Sequence, residues 1–222
     1  VTALNLEVNY KGGNYNLRDF YVDSDYARMQ AKGRGHFQKT HFVRFEISPN
    51  NIEPLTRVLD IPQFGVTGNI SGQMQGSRDS LNLTADYKLF NMHFDSLKIE
   101  RLTGNVSALS EDSLFTGQLS LVADSAYIDH RPVKQVRLNS SYDKKEFQNR
   151  LHLTVNDTLS LFTQTDIKTG EDLVFTIHEF LLNIRKDKWI NNPDSTVIKF
   201  CQDSIRIDHF QLQSGEQKIG LQ

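Results

Sequence analysis

Cysteine is nearly absent from the sequence, and that limits both cross-linking and metal chemistry. The single Cys201 can form no internal disulfide and no cysteine-based zinc site. It follows the apolar residues Ile198 and Phe200, which favours a small packed hydrophobe over a reactive thiol. A large β-sheet can be stable without disulfides, so this scarcity leaves an extracytoplasmic location open.

An excess of one charge and long apolar runs are also missing. The 25 lysines and arginines nearly balance 27 aspartates and glutamates, so no long-range field attracts phosphates. We therefore expect no nucleic-acid partner. Purely apolar runs are no longer than Phe180-Leu181-Leu182, far short of the ~20 residues that a spanning helix requires. No basic stretch precedes an apolar one, as it would in a signal peptide.

What the sequence has in abundance is alternation of apolar and polar residues with a period of two. Such a pattern predicts β-strands with one apolar and one polar face. Polar pairs such as Asp79-Ser80, Asp95-Ser96 and Asp157-Thr158 precede several of these segments and are typical of turns. We expect an all-β fold, mainly a meandering antiparallel sheet of strands of about six to eight residues.

Two local features interrupt the alternation. The spacing of Ile52, Leu55, Val58 and Leu59 is helical and predicts one short amphipathic helix near residues 51–59, with Asn50 as its cap. The following segment, residues 66–76, repeats glycine at every fourth position, and we interpret it as a strand that bends or that something approaches closely.

Catalytic and metal-binding patterns are not recognisable in the sequence. The seven histidines are scattered singly, and acidic neighbours such as Glu171 and Asp172 lie in turn-like stretches. We therefore expect no enzymatic activity, no cofactor and no metal. The chain begins within one alternating pattern and ends within another, so we expect residues 1–222 to form a single β segment of a longer protein.

With so little helix to cover it, the apolar face has three possible neighbours. A second sheet would close a sandwich, the sheet could fold on itself, or a ligand could bind there. The residues that we expect to line this face are Leu4, Leu6, Val8, Val66, Ile70, Met74, Leu81, Leu83, Leu119, Leu121, Leu151, Leu153, Val155, Leu159, Leu161, Phe175, Ile177, Ile205 and Ile207.

The predicted helix is followed by Ile61–Gly72, then by Gly76 and Leu81–Leu83. Near the end of the chain, Trp189 is followed by Ser195–Ile198, Asp203–Ile207, Phe210–Leu212 and Gln217–Gly220. These segments resemble the repeated units of the TamB and AsmA-like family, in a version typical of the Bacteroidetes bacteria. In that family a short helix precedes a glycine-punctuated strand, and a Trp precedes an extended segment, a short strand and a polar hairpin.

The resemblance implies a long sheet folded lengthwise into an open groove, a half-pipe with an apolar interior. It further implies a periplasm-spanning protein that is anchored in the inner membrane outside this segment. Its function would be to conduct phospholipids to the outer membrane through contacts with their acyl chains. It is also implicated in outer-membrane protein assembly with a β-barrel partner, through a part of the chain not recognisable here.

Two other functions remain open at the level of sequence. One is a closed β-sandwich or adhesin-like binding module, whose two sheets would cover each other's apolar faces. The other is a chaperone-like groove for unfolded outer-membrane β-strands, which would use exposed backbone edges as well as apolar side chains.

Overall fold

The structure is a computed structural model that describes residues 2–36, 39–58, 64–77, 79–111, 114–170, 172–191, 194–201 and 204–220. These residues form one open sheet of seventeen strands and one six-residue helix, which confirms the all-β fold. The elements are β1 (Ala3–Lys11), β2 (Asn14–Asp23), β3 (Ala27–His36), β4 (His41–Pro49), α1 (Glu53–Val58), β5 (Phe64–Gly76), β6 (Ser80–Phe94), β7 (Leu97–Glu111), β8 (Leu114–Ile128), β9 (Arg131–Asp143), β10 (Glu146–Asn156), β11 (Leu159–Thr169), β12 (Leu173–Ile184), β13 (Asp187–Asn191), β14 (Thr196–Phe200), β15 (Ile205–Asp208), β16 (Gln211–Ser214) and β17 (Gln217–Gly220).

The sheet is an antiparallel meander that divides near its end. Each strand from β1 to β12 pairs with the next one in the chain. The first half of β12 then pairs with β14, which pairs with β15. The second half pairs with β13, and β16 and β17 follow. Nearly all contacts are therefore between strands joined by a short turn.

The central strands are longer than the sequence suggests. Strands β6, β7 and β8 each contain 15 residues, which corresponds to about 50 Å of extended chain. The expected six to eight residues were wrong here, because an irregularity near one end of each long strand splits its alternating pattern in two.

The short helix is present, but its bounds differ from the prediction of 51–59. It begins at Glu53 rather than after Asn50, because the backbone amides of Asn50 and Asn51 donate to the carbonyl of Tyr26. The side chain of Thr56 is buried and donates to the carbonyl of Glu53 at 2.7 Å. The helix lies against β5 and ends, within the described residues, at Val58; residue 59 lies outside them.

The described strands form a single layer, and the solvent-accessible surface area is correspondingly large for a chain of this mass. A compact monomer of 25.5 kDa exposes about 10,400 Å². This chain exposes 15363 Å², about half as much again. Only six hydrophobic residues of the described chain are buried, and four of them form one cluster across β7, β8 and β9: Ile99, Ala123, Ala126 and Val133.

Two aromatic side chains lie close to glycines on neighbouring strands. Tyr87 on β6 crosses Gly104 on β7, and its hydroxyl donates to the carbonyl of Ser120 on β8 at 2.9 Å. Phe45 approaches Gly72 in the same way, with its ring 2.7 Å from where a Cβ would lie. The glycine-rich strand β5 thus admits close neighbours, and it also bends, since Gly68 has a φ of 138°.

We expect Gly104→Ala to destabilise the protein by about 1–3 kcal/mol, because the new methyl group would collide with the Tyr87 hydroxyl and the Ser120 carbonyl. Gly117→Ala on the neighbouring strand is the matched control, because its nearest contact would be an ordinary 3.5 Å. Urea unfolding of both variants measures the difference, and equal losses would contradict the packing argument.

Candidate functional site on the apolar face

The strand register places apolar side chains of many strands on one side of the sheet. We call this side the apolar face and the opposite side the polar face. One row of partners across β1 to β8 consists of Leu6, Phe20, Ala31, Phe45, Gly72, Ala85, Val106 and Leu119. A second row across β6 to β13 consists of Leu89, Leu102, Ala123, Val136, Leu153, Leu161, Leu182 and Trp189.

The residues expected to line an apolar surface lie together on this face. The register places all of them there except two, for which it gives no partner. Val66 falls on the same face by alternation from Gly68 and is buried. Val155 lies in a bulge opposite β11, and its face is not fixed by pairing. Apart from Val155, the predicted set thus lies on one face of the sheet.

The polar face is equally consistent. One row of partners runs across ten strands, from β3 to β12, without an apolar member: Gln30, Glu46, Ser71, Asp86, Asn105, Ser120, Asn139, Arg150, Gln164 and Glu179. Charged and amide side chains join neighbouring strands on this face, as in Arg18–Glu7 at 3.0 Å. Asp172 accepts a hydrogen bond from Lys199 at 2.8 Å and raises the pKa of that ammonium group.

Exposure of the apolar face changes from the edges to the centre. On the edge strand β1, Leu4 and Leu6 are 68% and 63% exposed, and Ile205 on β15 is 63% exposed. Central leucines such as Leu121 and Leu138 are half-buried, while their polar-face neighbours Gln118 and Asn139 are exposed. No second sheet of the described chain covers the centre, so these apolar side chains are shielded mainly by their neighbours within the sheet.

In four neighbouring strands the alternation of apolar and polar residues shifts by one residue at the same level. Because the shifts are aligned, the apolar residues of all four strands stay on the same face. Apolar residues that are two apart elsewhere are three apart here, and the four steps align in register: Leu89–Met92 on β6, Ile99–Leu102 on β7, Ala123–Ala126 on β8 and Val133–Val136 on β9. Asn91 and Ser125 lie inside two of these steps and have φ values of 50° and 56°. At each bulge one extra residue is inserted, so the alternation between the two faces shifts by one residue beyond it.

This phase change explains the residues that sequence reasoning missed. A strict period of two loses its phase within residues 88–94, so Leu89 and Met92 could not be assigned to a face. The same step of three occurs at Leu17–Phe20 on β2 and at Ile177–Phe180 on β12, each with a register shift. A search for aligned steps of three in successive strands would have found the complete face.

One histidine has partners that the sequence did not reveal. His178 contacts the Asp166 carboxylate through Nε2 at 2.7 Å and the Ser195 hydroxyl through Nδ1 at 3.2 Å. The three side chains link β11, β12 and the residue that precedes β14. They lie on an open surface rather than in a desolvated cleft, so we assign them a structural role.

A polar island interrupts the apolar face on β9, β10 and β11. Ser140, Asn149 and Thr165 are partners in one register row, and Thr163 lies beside them. The hydroxyl of Ser140 donates to Asn149 Oδ1 at 2.7 Å. Asn149 Nδ2 is buried and has no hydrogen-bond partner within the described chain. Leucines and aromatic residues surround this island: Leu119, Leu138, Leu151, Tyr142 and Phe147.

Within the described ranges, no helix is long and apolar enough to cross a membrane. In the same ranges, no three His, Cys, Asp or Glu side chains are grouped so that they could hold a metal ion. Comparison with protein-family models, with curated proteins and with solved structures gives no match for this chain. The resemblance to the TamB and AsmA-like family therefore stays a prediction.

The bulge at Ser125 offers a direct test of how the apolar face is kept in phase. Ser125→Gly should stabilise the protein by up to about 1 kcal/mol, since glycine tolerates the positive φ. Ser125→Val should destabilise it by about 1–2 kcal/mol, because a β-branched residue is strained there. Chemical denaturation measures both, and stabilisation by valine would show that the bulge is absent in solution.

Proposed function

We propose that the apolar face binds the acyl chains of phospholipids and lets them move along the sheet. The observation that carries this proposal is a curved single layer whose apolar face extends across the sheet and is covered by no second sheet of the described chain. Large exposed apolar surfaces of this kind mark sites of interaction with other apolar molecules.

The energetics favour a ligand that would otherwise lose much free energy in water. Each methylene group removed from water contributes about 0.8 kcal/mol. Exposing a sixteen-carbon acyl chain to water between two membranes would therefore cost on the order of 12 kcal/mol. Twelve successive strands at a spacing of about 4.8 Å make a face of about 55 Å along the stacking direction. Such a length accommodates an extended acyl chain with room to shift.

The composition of the face also suits movement. The row of Leu121, Leu138 and Leu151 offers half-buried aliphatic side chains of the same kind on three successive strands. Dispersion contacts of this kind are individually small and non-directional. A chain that shifts by one strand exchanges one such contact for another, so no single position holds it tightly.

The wider setting belongs to the same proposal. The segment would lie in the periplasm as part of a longer protein anchored in the inner membrane, and would lead phospholipids toward the outer membrane. An outer-membrane β-barrel partner, and a role in outer-membrane protein assembly, would involve other parts of that protein. This function requires no catalytic step, because the lipid only changes its surroundings and no covalent bond is made or broken.

The alternative of a closed sandwich disagrees with the fold, because the described strands form one open sheet. The chaperone-like alternative has one observation in its favour. The outer edge of β1 pairs with no strand of the described chain, and all nine residues of β1 are exposed. An unfolded strand could pair with that edge through its backbone.

We expect Leu121→Asp to reduce the phospholipid that copurifies with the protein by tenfold or more. A carboxylate on the apolar face must be desolvated when an acyl chain covers it, and this costs free energy. Leu121 is preferable to Leu153, which packs against the buried cluster and whose loss would weaken folding. The control is Gln118→Asp on the polar face of the same strand. Mass spectrometry of extracted lipid gives the result, with circular dichroism to verify folding.

Equal lipid content in Leu121→Asp and Gln118→Asp would contradict the proposal. So would the complete displacement of lipid by a peptide from an outer-membrane strand, together with preferential labelling of β1 by that peptide. The second outcome would establish the chaperone-like function instead.

A further inference from the structure

The polar island around Asn149 is the feature of the apolar face that lipid sliding alone does not explain. A buried donor without an acceptor costs free energy, and an apolar residue of the same size would avoid this cost. Neighbouring rows carry leucine at the matching positions, for example Leu138 and Leu151. The sheet therefore accommodates apolar residues here without difficulty, and the amide needs a reason of its own.

Rotation of the amide does not remove the problem. In the structure Oδ1 accepts the hydrogen bond from Ser140, and Nδ2 is the end without a partner. If the two ends exchanged places, Nδ2 would donate to the Ser140 oxygen and Oδ1 would take the buried position. Either orientation leaves one end of the amide unsatisfied by the protein.

We infer that Asn149 is a binding site for a carbonyl oxygen of the molecule that lies on the apolar face. Asn149 as a residue is only half-buried, so its side chain can turn Nδ2 toward the open side when an acceptor arrives. The register places Thr163 and Thr165 beside Asn149 on the same face, and their hydroxyls can donate to the second lone pair of the same oxygen or hold an accompanying water.

The chemistry of the surroundings selects the ester carbonyl of a diacyl lipid. The island spans three strands, about 10 Å, and apolar rows flank it on both sides. An extended peptide presents a backbone carbonyl or amide every few ångströms and would leave most of them unpaired on those rows. A glycerolipid concentrates its ester oxygens at one point and continues as hydrocarbon, which matches a small island in an apolar surface.

This inference rests on the proposed binding of acyl chains and adds a position where the lipid pauses. Elsewhere the apolar face would make only non-directional contacts with the lipid. At β9 to β11 the hydrogen bond would hold the lipid at one position. Such a site gives the polar end of the lipid a fixed place relative to the groove, so that its chains extend along the apolar rows.

The test compares a diacyl phosphatidylcholine with its diether analogue, which has the same chains and headgroup but no carbonyl oxygens. We expect the purified protein to bind the diacyl lipid about fivefold more tightly, the difference expected for one neutral hydrogen bond. Asn149→Leu should abolish this preference while retaining the diether affinity. Asn139→Leu, on the polar face of the neighbouring strand, should preserve it.

A second readout separates a binding role from a structural one. The double variant Ser140→Ala, Asn149→Leu removes the buried unsatisfied donor together with the hydroxyl that donates to Asn149, so without ligand it should melt about 2–4 °C higher than the wild type. A purely structural asparagine would instead lower the melting temperature when replaced.

The outcomes are distinct. Equal affinity of the wild type for the two lipids would overturn the carbonyl site and leave acyl-chain binding standing. A diacyl preference that survives in Asn149→Leu would also overturn it, and so would a lower melting temperature of the double variant. Absence of binding to both lipids would refute the proposed function itself.

Discussion

One constraint governs this molecule: apolar side chains must stay on the same side of a layer that nothing else covers. In a two-layer protein, a strand that slips by one residue is corrected because its apolar side chains lose contact with the other layer. Here the only correction comes from neighbouring strands in the same sheet. Register must therefore be specified strand by strand, through turns and cross-strand pairs. The short turns between successive strands and the unbroken polar row from Gln30 to Glu179 are consequences of this demand.

The aligned bulges follow from the same constraint. If one strand changed phase alone, its leucines beyond that point would face the polar side while those of its neighbours did not. The steps of three at Leu89–Met92, Ile99–Leu102, Ala123–Ala126 and Val133–Val136 occur at one level, so the four strands change together. The buried cluster of Ile99, Ala123, Ala126 and Val133 lies at this level, where bulges increase the local twist and small alanines allow close approach. Burial of the Tyr87 ring over Gly104, which raises the pKa of its phenol, gives a second point at which strands are held closely.

The sequence was informative where the pattern was local and repetitive. Period two predicted the strand class, the meander and the shared face of residues as distant as Leu4 and Ile207, because alternation and short turns determine all three. It could not predict strand length, because a step of three looks like the end of one strand and the start of another. It overestimated the helix, since Asn50 and Asn51 bind Tyr26 on a different turn, a contact between segments that no local pattern records. The pairing of Ser140 with Asn149 was equally invisible, because it depends on register across a hairpin.

A sheet of this kind also has an unusual relation between stability and ligand. Few side chains are buried in the ligand-free protein, so most of the apolar surface contributes to stability only when something covers it. Any molecule that binds the apolar face of the folded sheet, and not the unfolded chain, stabilises the fold by mass action. If such a molecule moved along the apolar face, the stabilisation would move with it from one group of strands to the next. Since consecutive strands contact mainly their neighbours, each region can respond locally while the rest of the sheet keeps its register. The same architecture that leaves the face open would therefore allow the proposed acyl chain to move along it without unfolding the protein.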